Sequence, residues 1–142
     1  MQLYIGADHA GFQLKETIKS HLVNKGYTVI DKGTFSETST DYPPYAHEVA
    51  IQVANQNAMG ILICGSANGV CITANKHAGV RAALCWQTDV ATLARQHNDA
   101  NIICIPARFV TNTEALSMVD VFLNTPFEGG RHANRVAKIN IQ

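Results

Sequence analysis

A cysteine followed by a glycine-containing turn is the feature of this sequence that points most directly to chemistry. Cys64 comes directly after the apolar residues 60–63, and it is followed by Gly65, Ser66, Ala67, Asn68 and Gly69. A thiol at the end of a buried strand can lie beside the free backbone N–H groups of such a turn, and these groups bind anions. The pattern predicts a nucleophile or base next to an anion-binding turn. The alternative is a buried structural thiol, a common role for a cysteine after an apolar run.

The elements that position this turn are predicted by the alternation of short apolar runs with segments of helical period. Strands are predicted near residues 2–6, 27–30, 61–63, 81–85 and 101–105, and helices near residues 12–25, 46–54, 70–74, 90–97 and 114–123. Strands that are apolar almost throughout and alternate with helices are typical of a parallel sheet covered on both faces. We therefore predict an α/β fold, a Rossmann-like doubly wound parallel sheet with helices on both faces. It forms a single domain over residues 1–142, with a C-terminal helical tail.

The second predicted helix carries one apolar face, formed by Ala46, Val49, Ala50, Val53 and Ala54. These residues are separated by three or four positions, so they lie on the same side of a helix. We expect that side to pack on the sheet.

Polar side chains follow three of the predicted strands. Asp8 and His9 follow the first strand, Cys64 follows the third and Arg108 follows the fifth. In open parallel sheets the carboxyl ends of the strands lie at one edge, and ligands bind there. We expect these side chains to lie close together at that edge. For Asp8, a role as the cap of the first helix explains its position equally well.

The tail contains two arginines, Arg131 and Arg135, which lie on one face if the tail is helical. Like charges at this spacing repel, and cations near a helix N-terminus oppose the helix dipole, so a bound phosphate would remove both costs. Two solvated arginines are an equally good interpretation. His97 is also open to two interpretations: it extends the apolar side of its helix like a core histidine, while Asn98 beside it suits a helix-end loop.

The composition excludes several classes of protein. Eleven basic and eleven acidic residues cancel, so no net field attracts nucleic acid or an anionic membrane. No apolar run approaches the roughly 20 residues that span a bilayer, and we expect a cytoplasmic protein. The four cysteines contain no Cys-x-x-Cys pair, which indicates neither a disulfide framework nor a zinc site.

Six short blocks together resemble the type B ribose-5-phosphate isomerases, within a larger group that includes galactose-6-phosphate isomerase subunits. The blocks are GADHAG (6–11), TDYP (40–43), ICGS (63–66), ANK (74–76), RQHND (95–99) and EGGRH (128–132). They occur in order over nearly the whole chain, so the resemblance is far more specific than any single motif.

The resemblance implies an aldose–ketose isomerase that interconverts D-ribose 5-phosphate and D-ribulose 5-phosphate through an enediolate, in the pentose phosphate pathway. It implies no metal and no cofactor. Cys64 would be the base, and we expect the helix that starts near residue 70 to lower its pKa. Ser66 would help to move protons between the sugar oxygens, and His97 would open the furanose ring. Substrate binding would involve Asp8, His9, Gly65, Ala67, Asn68, Gly69, Asn98, Arg108, Arg131 and Arg135.

The resemblance also implies a homodimer or a dimer of dimers, with active sites shared across the dimer interface. One position departs from the family, because many relatives have glycine where this chain has Ala67. If this residue has a positive φ, the alanine adds strain of about 1 kcal/mol or more; if its backbone is ordinary, the alanine is harmless. Two other functions stay open: isomerisation of a six-carbon sugar phosphate (allose or galactose 6-phosphate), and a non-catalytic nucleotide- or phosphate-binding module.

Overall fold

The computed structural model describes residues 2–141, and this range forms five strands and six helices. The strands are β1 (Gln2–Ala7), β2 (Thr28–Asp31), β3 (Met59–Cys64), β4 (Ala82–Leu84) and β5 (Ile102–Pro106). The helices are α1 (Phe12–Asn24), α2 (Pro43–Gln56), α3 (Asn68–Ala74), α4 (Thr88–Asn98), α5 (Asn112–Asn124) and α6 (Arg131–Ala137). None of the helices described here has both the length and the hydropathy needed to cross a membrane.

The sheet is parallel throughout, with the strand order β2-β1-β3-β5-β4. The predicted fold class is confirmed, including the helical tail, which is α6. Because β2 lies on one side of β1 and β3 on the other, the direction of winding reverses between β1 and β3. Ligands in such sheets bind beyond the strand ends at this reversal.

Two cores form on the opposite faces of the sheet, because successive strand residues point to opposite sides. In β3, Ile61 and Ile63 belong to the core beneath α1, α4 and α5. Leu62 and Cys64 belong to the core beneath α2 and α3. Both faces of the strand that ends in Cys64 are therefore covered, which holds the thiol at a rigid strand end.

The apolar face of α2 packs on the sheet through four of its five predicted residues. Ala46, Val49, Ala50 and Val53 are buried, whereas Ala54 is exposed, so the prediction for Ala54 is wrong. With 3.6 residues per turn, Ala54 is rotated by about 80° from Ala46, which places it at the margin of the buried stripe.

Candidate functional site

A cavity of about 610 Å³ opens beyond the carboxyl ends of β1, β3 and β5. It is lined by Asp8, His9, Ala10, Tyr42, Cys64, Gly65, Ser66, Gly69, Arg108 and Phe109. The structure thus brings together the polar residues that follow the first, third and fifth strands. The cavity lies where the winding of the sheet reverses, the usual position of a ligand in this architecture.

The Cys64 thiol is almost fully buried, with 5 % of the residue exposed. Burial raises the pKa of the thiol, and the nearby charge of Asp8 raises it further. Backbone N–H groups of Val70, Ala67 and Ser66 donate towards the sulfur and oppose this rise, but burial is the larger effect. The start of α3 therefore acts to lower the Cys64 pKa, as expected, but the net pKa of the thiol in the single chain is raised. The donors are in place, but desolvation of a thiolate outweighs them.

The turn after Cys64 presents only part of its backbone to the cavity. Ala67 has the left-handed conformation, with φ 64° and ψ −1°, and it is fully buried in the core beside α3. The side-chain and backbone N–H groups of the exposed Asn68 donate to Ser66 Oγ, at 3.2 and 3.3 Å. Gly65, Ser66 and Gly69 form the wall of the cavity, whereas Ala67 and Asn68 do not line it.

The Arg108 side chain lies directly over Gly65. A Cβ atom added to Gly65 would be 3.2 Å from Arg108 Cζ and Nη1. The Arg108 backbone N–H donates to the carbonyl oxygen of Gly65 at 3.1 Å, which ties the end of β5 to the turn. The glycine therefore allows a guanidinium group, whose fork of donors suits phosphate oxygens, to approach the turn closely.

Asp8 and His9 are held by backbone contacts at the end of β1. The buried Asp8 carboxylate accepts a hydrogen bond from the Gly11 backbone N–H at 3.1 Å. Gly11, rather than Asp8, occupies the N-cap position of α1, so Asp8 stabilises the preceding turn. His9 Nδ1 lies 3.2 Å from both the backbone N and the backbone O of Thr40. This contact links the cavity to the loop between β2 and α2.

Three lining residues, Ala10, Tyr42 and Phe109, were not among the predicted site residues. A Cβ atom added to Gly69 would be 2.3 Å from Tyr42 Cζ, so the tyrosine ring covers the start of α3. Tyr42 belongs to a segment of loop composition, and Phe109 is 74 % exposed, so neither has a periodic apolar pattern. In the sequence, Tyr42 is indicated only by its place in the TDYP block (40–43) that carries the family resemblance.

Four predicted site residues lie elsewhere: His97, Asn98, Arg131 and Arg135. Helix α4 starts beyond the carboxyl end of β4 and runs back along the sheet, so its last residues lie near the amino ends of the strands. Arg81, just before β4, confirms this position, because its Nε donates to the carbonyl oxygens of Asn98 and Asp99 at 3.1 and 3.0 Å. The two groups of predicted residues are separated by strands that span roughly 15 Å.

His97 is stacked on His132 at the end of α4, with ring centroids 4.2 Å apart and planes within 13°. The His97 side chain is 39 % exposed, so it is not a core histidine, and its Nε2 lies 4.0 Å from Glu128 Oε2. Arg135 Nη1 lies 3.4 Å from His132 Nδ1, and both arginines are exposed on α6. We call the group formed by His97, Asn98, Arg131, His132 and Arg135 the tail cluster.

Comparison with known proteins gives matches over nearly the whole chain. A family model described as Ribose/Galactose Isomerase matches residues 3–139. Ribose-5-phosphate isomerase B of Escherichia coli (strain K12) is 48 % identical over 139 residues, which cover 97 % of this chain and 93 % of that protein.

Solved structures agree with these matches. A ribose 5-phosphate isomerase from Thermotoga maritima has a TM-score of 0.95 and 49 % identity, covering 97 % of this chain and 96 % of that one. Ribose-5-phosphate isomerase B from Mycoplasma genitalium was solved with bound ribulose-5-phosphate. It has a TM-score of 0.94 and 45 % identity, and the match covers 97 % of this chain and 93 % of that one. The resemblance indicated by the six sequence blocks is confirmed, and the chain belongs to the ribose/galactose isomerase family.

Proposed function

We propose that the chain interconverts D-ribose 5-phosphate and D-ribulose 5-phosphate through an enediolate. The observation that carries this proposal is a buried thiol, Cys64, in a cavity that also presents His9 and Arg108. A base beside phosphate-binding groups suits proton transfer on a sugar phosphate. The relatives named ribose-5-phosphate isomerase B, one of them solved with ribulose-5-phosphate, support this substrate.

Cys64 is the base in this proposal. Its thiolate takes the proton from carbon 2 of the open-chain aldose, and the resulting thiol then gives a proton to carbon 1 of the enediolate, which regenerates the thiolate. The backbone N–H groups that face the sulfur stabilise the thiolate once it forms. The N–H groups of the cavity wall stabilise the charge on the enediolate oxygens, as in an oxyanion hole. Ser66, whose hydroxyl is exposed at the cavity, passes a proton between those oxygens.

The position of the tail cluster supports active sites that are shared between two copies of the chain. The strands of the sheet separate His97, Arg131 and Arg135 from the cavity of their own chain. The family resemblance assigns these residues to the same site as Cys64. A homodimer, alone or within a dimer of dimers, resolves this conflict if the tail cluster of one copy lies against the cavity of the other. A two-fold axis then produces two equivalent sites.

The roles in such a shared site follow from the side chains. His97 opens the furanose ring, and Asn98 binds a sugar hydroxyl. His9 and Arg108 from one copy hold the phosphate together with Arg131 and Arg135 from the other, because guanidinium groups match phosphate oxygens in pairs. The substrate thus neutralises the repulsion between the two exposed arginines of α6.

The comparisons also bear on the alternative functions. The ribulose-5-phosphate bound in the Mycoplasma genitalium relative favours a five-carbon substrate over allose or galactose 6-phosphate. The isomerase names of the relatives favour catalysis over a nucleotide-binding module. A cytoplasmic location stays a prediction from the composition.

The first test is the interconversion of ribose 5-phosphate and ribulose 5-phosphate by the purified protein without added metal. Cys64→Ala should lower turnover at least about 100-fold, the size of a general-base contribution. Cys71→Ala is the matched control, because this half-buried thiol on α3 does not line the cavity. A parent protein without turnover contradicts the proposed substrate, and a Cys64→Ala variant that keeps most of its turnover contradicts the proposed base.

A further inference from the structure

His47 and His77 face each other on the surface formed by α2 and the residues after α3. His47 Nδ1 lies 2.7 Å from His77 Nε2, and the ring centroids are 4.9 Å apart. The contact is exposed to solvent, so an ion in solution can reach both rings. Neither residue lines the cavity that contains Cys64, and neither takes part in the proposed reaction. The pair is therefore a cluster of metal-ligating side chains without a role so far.

The two facing nitrogens can both act as ligands. Without an ion, an N–H of one ring faces the lone pair of the other, so one histidine donates a hydrogen bond to its neighbour. Burial and the nearby His47 lower the pKa of His77, so this ring is neutral at pH 7. A neutral imidazole carries its single proton on either nitrogen. When both rings carry it on the outer nitrogen, two lone pairs face the same gap, as in a pair of metal-bound histidines.

The distance between the two nitrogens indicates the kind of ion. Bonds from a metal ion to imidazole nitrogen are about 2.0–2.1 Å long. Two ligands at 90° are then about 2.9 Å apart, whereas two ligands of a tetrahedral ion are about 3.3 Å apart. The 2.7 Å between His47 Nδ1 and His77 Nε2 is closer to the first value. The pair thus fits neighbouring positions of a square-planar or tetragonal ion, the geometry of Cu²⁺ and Ni²⁺, better than those of Zn²⁺.

The backbone on both sides of the pair is held by regular structure. His47 follows the fully buried Ala46 on α2, the helix that packs on the sheet. The His77 backbone N–H donates to the carbonyl oxygen of Ala74 at 3.2 Å, and the His77 carbonyl oxygen accepts from the Val80 N–H at 3.1 Å. Only the two side chains have to turn for their lone pairs to meet at one ion. A site on a fixed backbone needs little reorganisation to bind.

The tail cluster is a weaker candidate for a metal site. His97, Glu128 and His132 place ligand atoms within 4.8 Å of one another. The His97 and His132 rings are stacked within 13° of parallel, so their lone pairs point side by side, and His132 is buried. The rings of His47 and His77 are instead inclined by 67° and exposed. Two imidazoles from this pair leave the other positions of the ion to water.

We propose that His47 and His77 form a surface chelating site for a divalent cation of square-planar or tetragonal preference, Cu²⁺ or Ni²⁺. His47 supplies Nδ1 and His77 supplies Nε2. The bound ion joins α2 to the end of α3, so it stabilises the native chain over the unfolded one. This site lies outside the cavity and does not rest on the proposed isomerase function.

The test is a calorimetric titration of the protein, free of any histidine tag, with NiCl2 at about pH 7.5, where both imidazoles are mainly neutral. Ni²⁺ is the probe because it does not oxidise thiols, as Cu²⁺ does. His47→Gln and His77→Gln each remove one ligand and should each weaken Ni²⁺ binding at least about tenfold, since loss of even an outer partner of a metal ligand costs that much. His21→Gln, at a histidine of α1 that pairs with Asp120, is the matched control and should bind within about twofold of the parent protein.

Thermal unfolding gives a second measurement. Ni²⁺ should raise the Tm of the parent protein and of His21→Gln more than that of either His47→Gln or His77→Gln, because only an intact pair binds the ion in the native state. A parent protein that binds no Ni²⁺ at about 1 mM overturns the inference. Binding that is lost in only one of the two variants, or is equal in all four proteins, also overturns it, because the ion then lies at another site such as the tail cluster.

Discussion

Ala67 combines a strained backbone with a buried methyl group. Its φ of 64° is in the left-handed region, and its side chain is fully buried. The strain of a non-glycine residue there is about 1 kcal/mol or more. Burial of one methyl group contributes about 0.8 kcal/mol in the opposite direction. The two effects oppose each other, which reduces the net cost of an alanine at a position where the family resemblance predicts glycine.

Substitutions at position 67 test this balance. Ala67→Gly should change the free energy of unfolding by less than about 1 kcal/mol, because it removes the strain together with the buried methyl group. Ala67→Val should destabilise the protein by about 2 kcal/mol or more, since a β-branched residue at positive φ is both strained and too large for the core. Urea unfolding measures the change in the free energy of unfolding for both variants. A Gly variant stabilised by more than about 2 kcal/mol contradicts a stabilising role for the methyl group.

The Cys64 thiol should ionise at a higher pH than an ordinary cysteine. Burial disfavours the thiolate, and the Asp8 charge adds to this effect, so the pKa is raised. The rate of alkylation of Cys64 by iodoacetamide, followed by mass spectrometry, should therefore rise with pH to a midpoint above about 8.5. Asp8→Asn should shift the midpoint to lower pH, and Asp89→Asn on α4 is the control. A midpoint below that of an ordinary cysteine in the parent protein contradicts the dominance of burial.

At the scale of elements, two glycines set the closest approaches around the cavity. A Cβ atom added to Gly11 would be 2.6 Å from the backbone oxygen of Ile63, so the start of α1 lies directly against β3. A Cβ atom added to Gly69 would instead meet the tip of the Tyr42 side chain at 2.3 Å. A strand backbone cannot move away, whereas a tyrosine at the mouth of a cavity can.

Alanine substitutions at Gly11 and Gly69 should therefore have different effects, the first on stability and the second on substrate binding. Gly11→Ala should destabilise the protein by about 2 kcal/mol or more, the usual cost of overpacking. Gly69→Ala should keep stability within about 1 kcal/mol and raise KM by moving Tyr42. Thermal unfolding and steady-state kinetics on both variants check this expectation. Equal destabilisation by the two substitutions contradicts the distinction between backbone and side-chain contacts.

A buried ion pair joins α1 to β2. The Lys15 ammonium group is fully buried and contacts the carboxylate of Asp31, which also accepts from Lys19 at 2.9 Å. Burial opposes ionisation of Asp31 most strongly, but hydrogen bonds from both lysines and from the Gly33 backbone together lower its pKa. Asp31 therefore stabilises the fold above the pKa of an unfolded aspartate, about 3.9, and this contribution is lost as the pH falls through the lower folded value.

Asp31→Asn should destabilise the protein by about 3 to 5 kcal/mol at pH 7, because it leaves the buried Lys15 charge with only the more exposed Glu16 carboxylate as a partner. Between about pH 5 and pH 2, the free energy of unfolding of the variant should fall less than that of the parent protein, because the variant has no Asp31 carboxylate to protonate. Urea unfolding as a function of pH measures both effects. Glu16→Gln, at a more exposed partner of Lys15, is the control and should cost less than about 1 kcal/mol. A similar loss of stability in Asp31→Asn and Glu16→Gln contradicts the central role of Asp31.

At the scale of the whole molecule, the separation of the cavity from the tail cluster predicts complementation between subunits. Cys64→Ala damages the cavity, and His97→Asn damages the tail cluster. If sites are shared, a mixed dimer of the two variants contains one intact site. Refolding an equal mixture should then restore about a quarter of the parent activity, because half of the dimers are mixed and each has one good site of two.

The control mixes Cys64→Ala with Ser66→Ala, which both damage the cavity side, and this mixture should not recover activity. Sedimentation measures the dimer in every sample. A Cys64→Ala and His97→Asn mixture that stays as inactive as its parents, although dimers form, contradicts shared sites.

The elements and the cavity side of the candidate site were predictable because their signals are local. Apolar periodicity marks β3, and the glycine-containing turn marks the place where Cys64 follows it. Tyr42 was missed because a loop residue reaches the cavity only through the path of its loop. Arg131 and Arg135 were predicted as site residues from their spacing and from the resemblance, but their distance from the cavity depends on how α4 and α6 lie on the sheet.

By itself, the sequence determined the parallel α/β class, the succession of strands and helices, and the residues at the strand ends, because each depends on patterns within a few neighbouring residues. Only the tertiary structure decided the insertion of β5 between β3 and β4, the left-handed backbone at Ala67 and the raised pKa of Cys64. It also decided that His97 lies at the opposite edge from the thiol. These properties arise from strand pairing, burial and charge contacts between residues far apart in the chain, which local pattern does not encode.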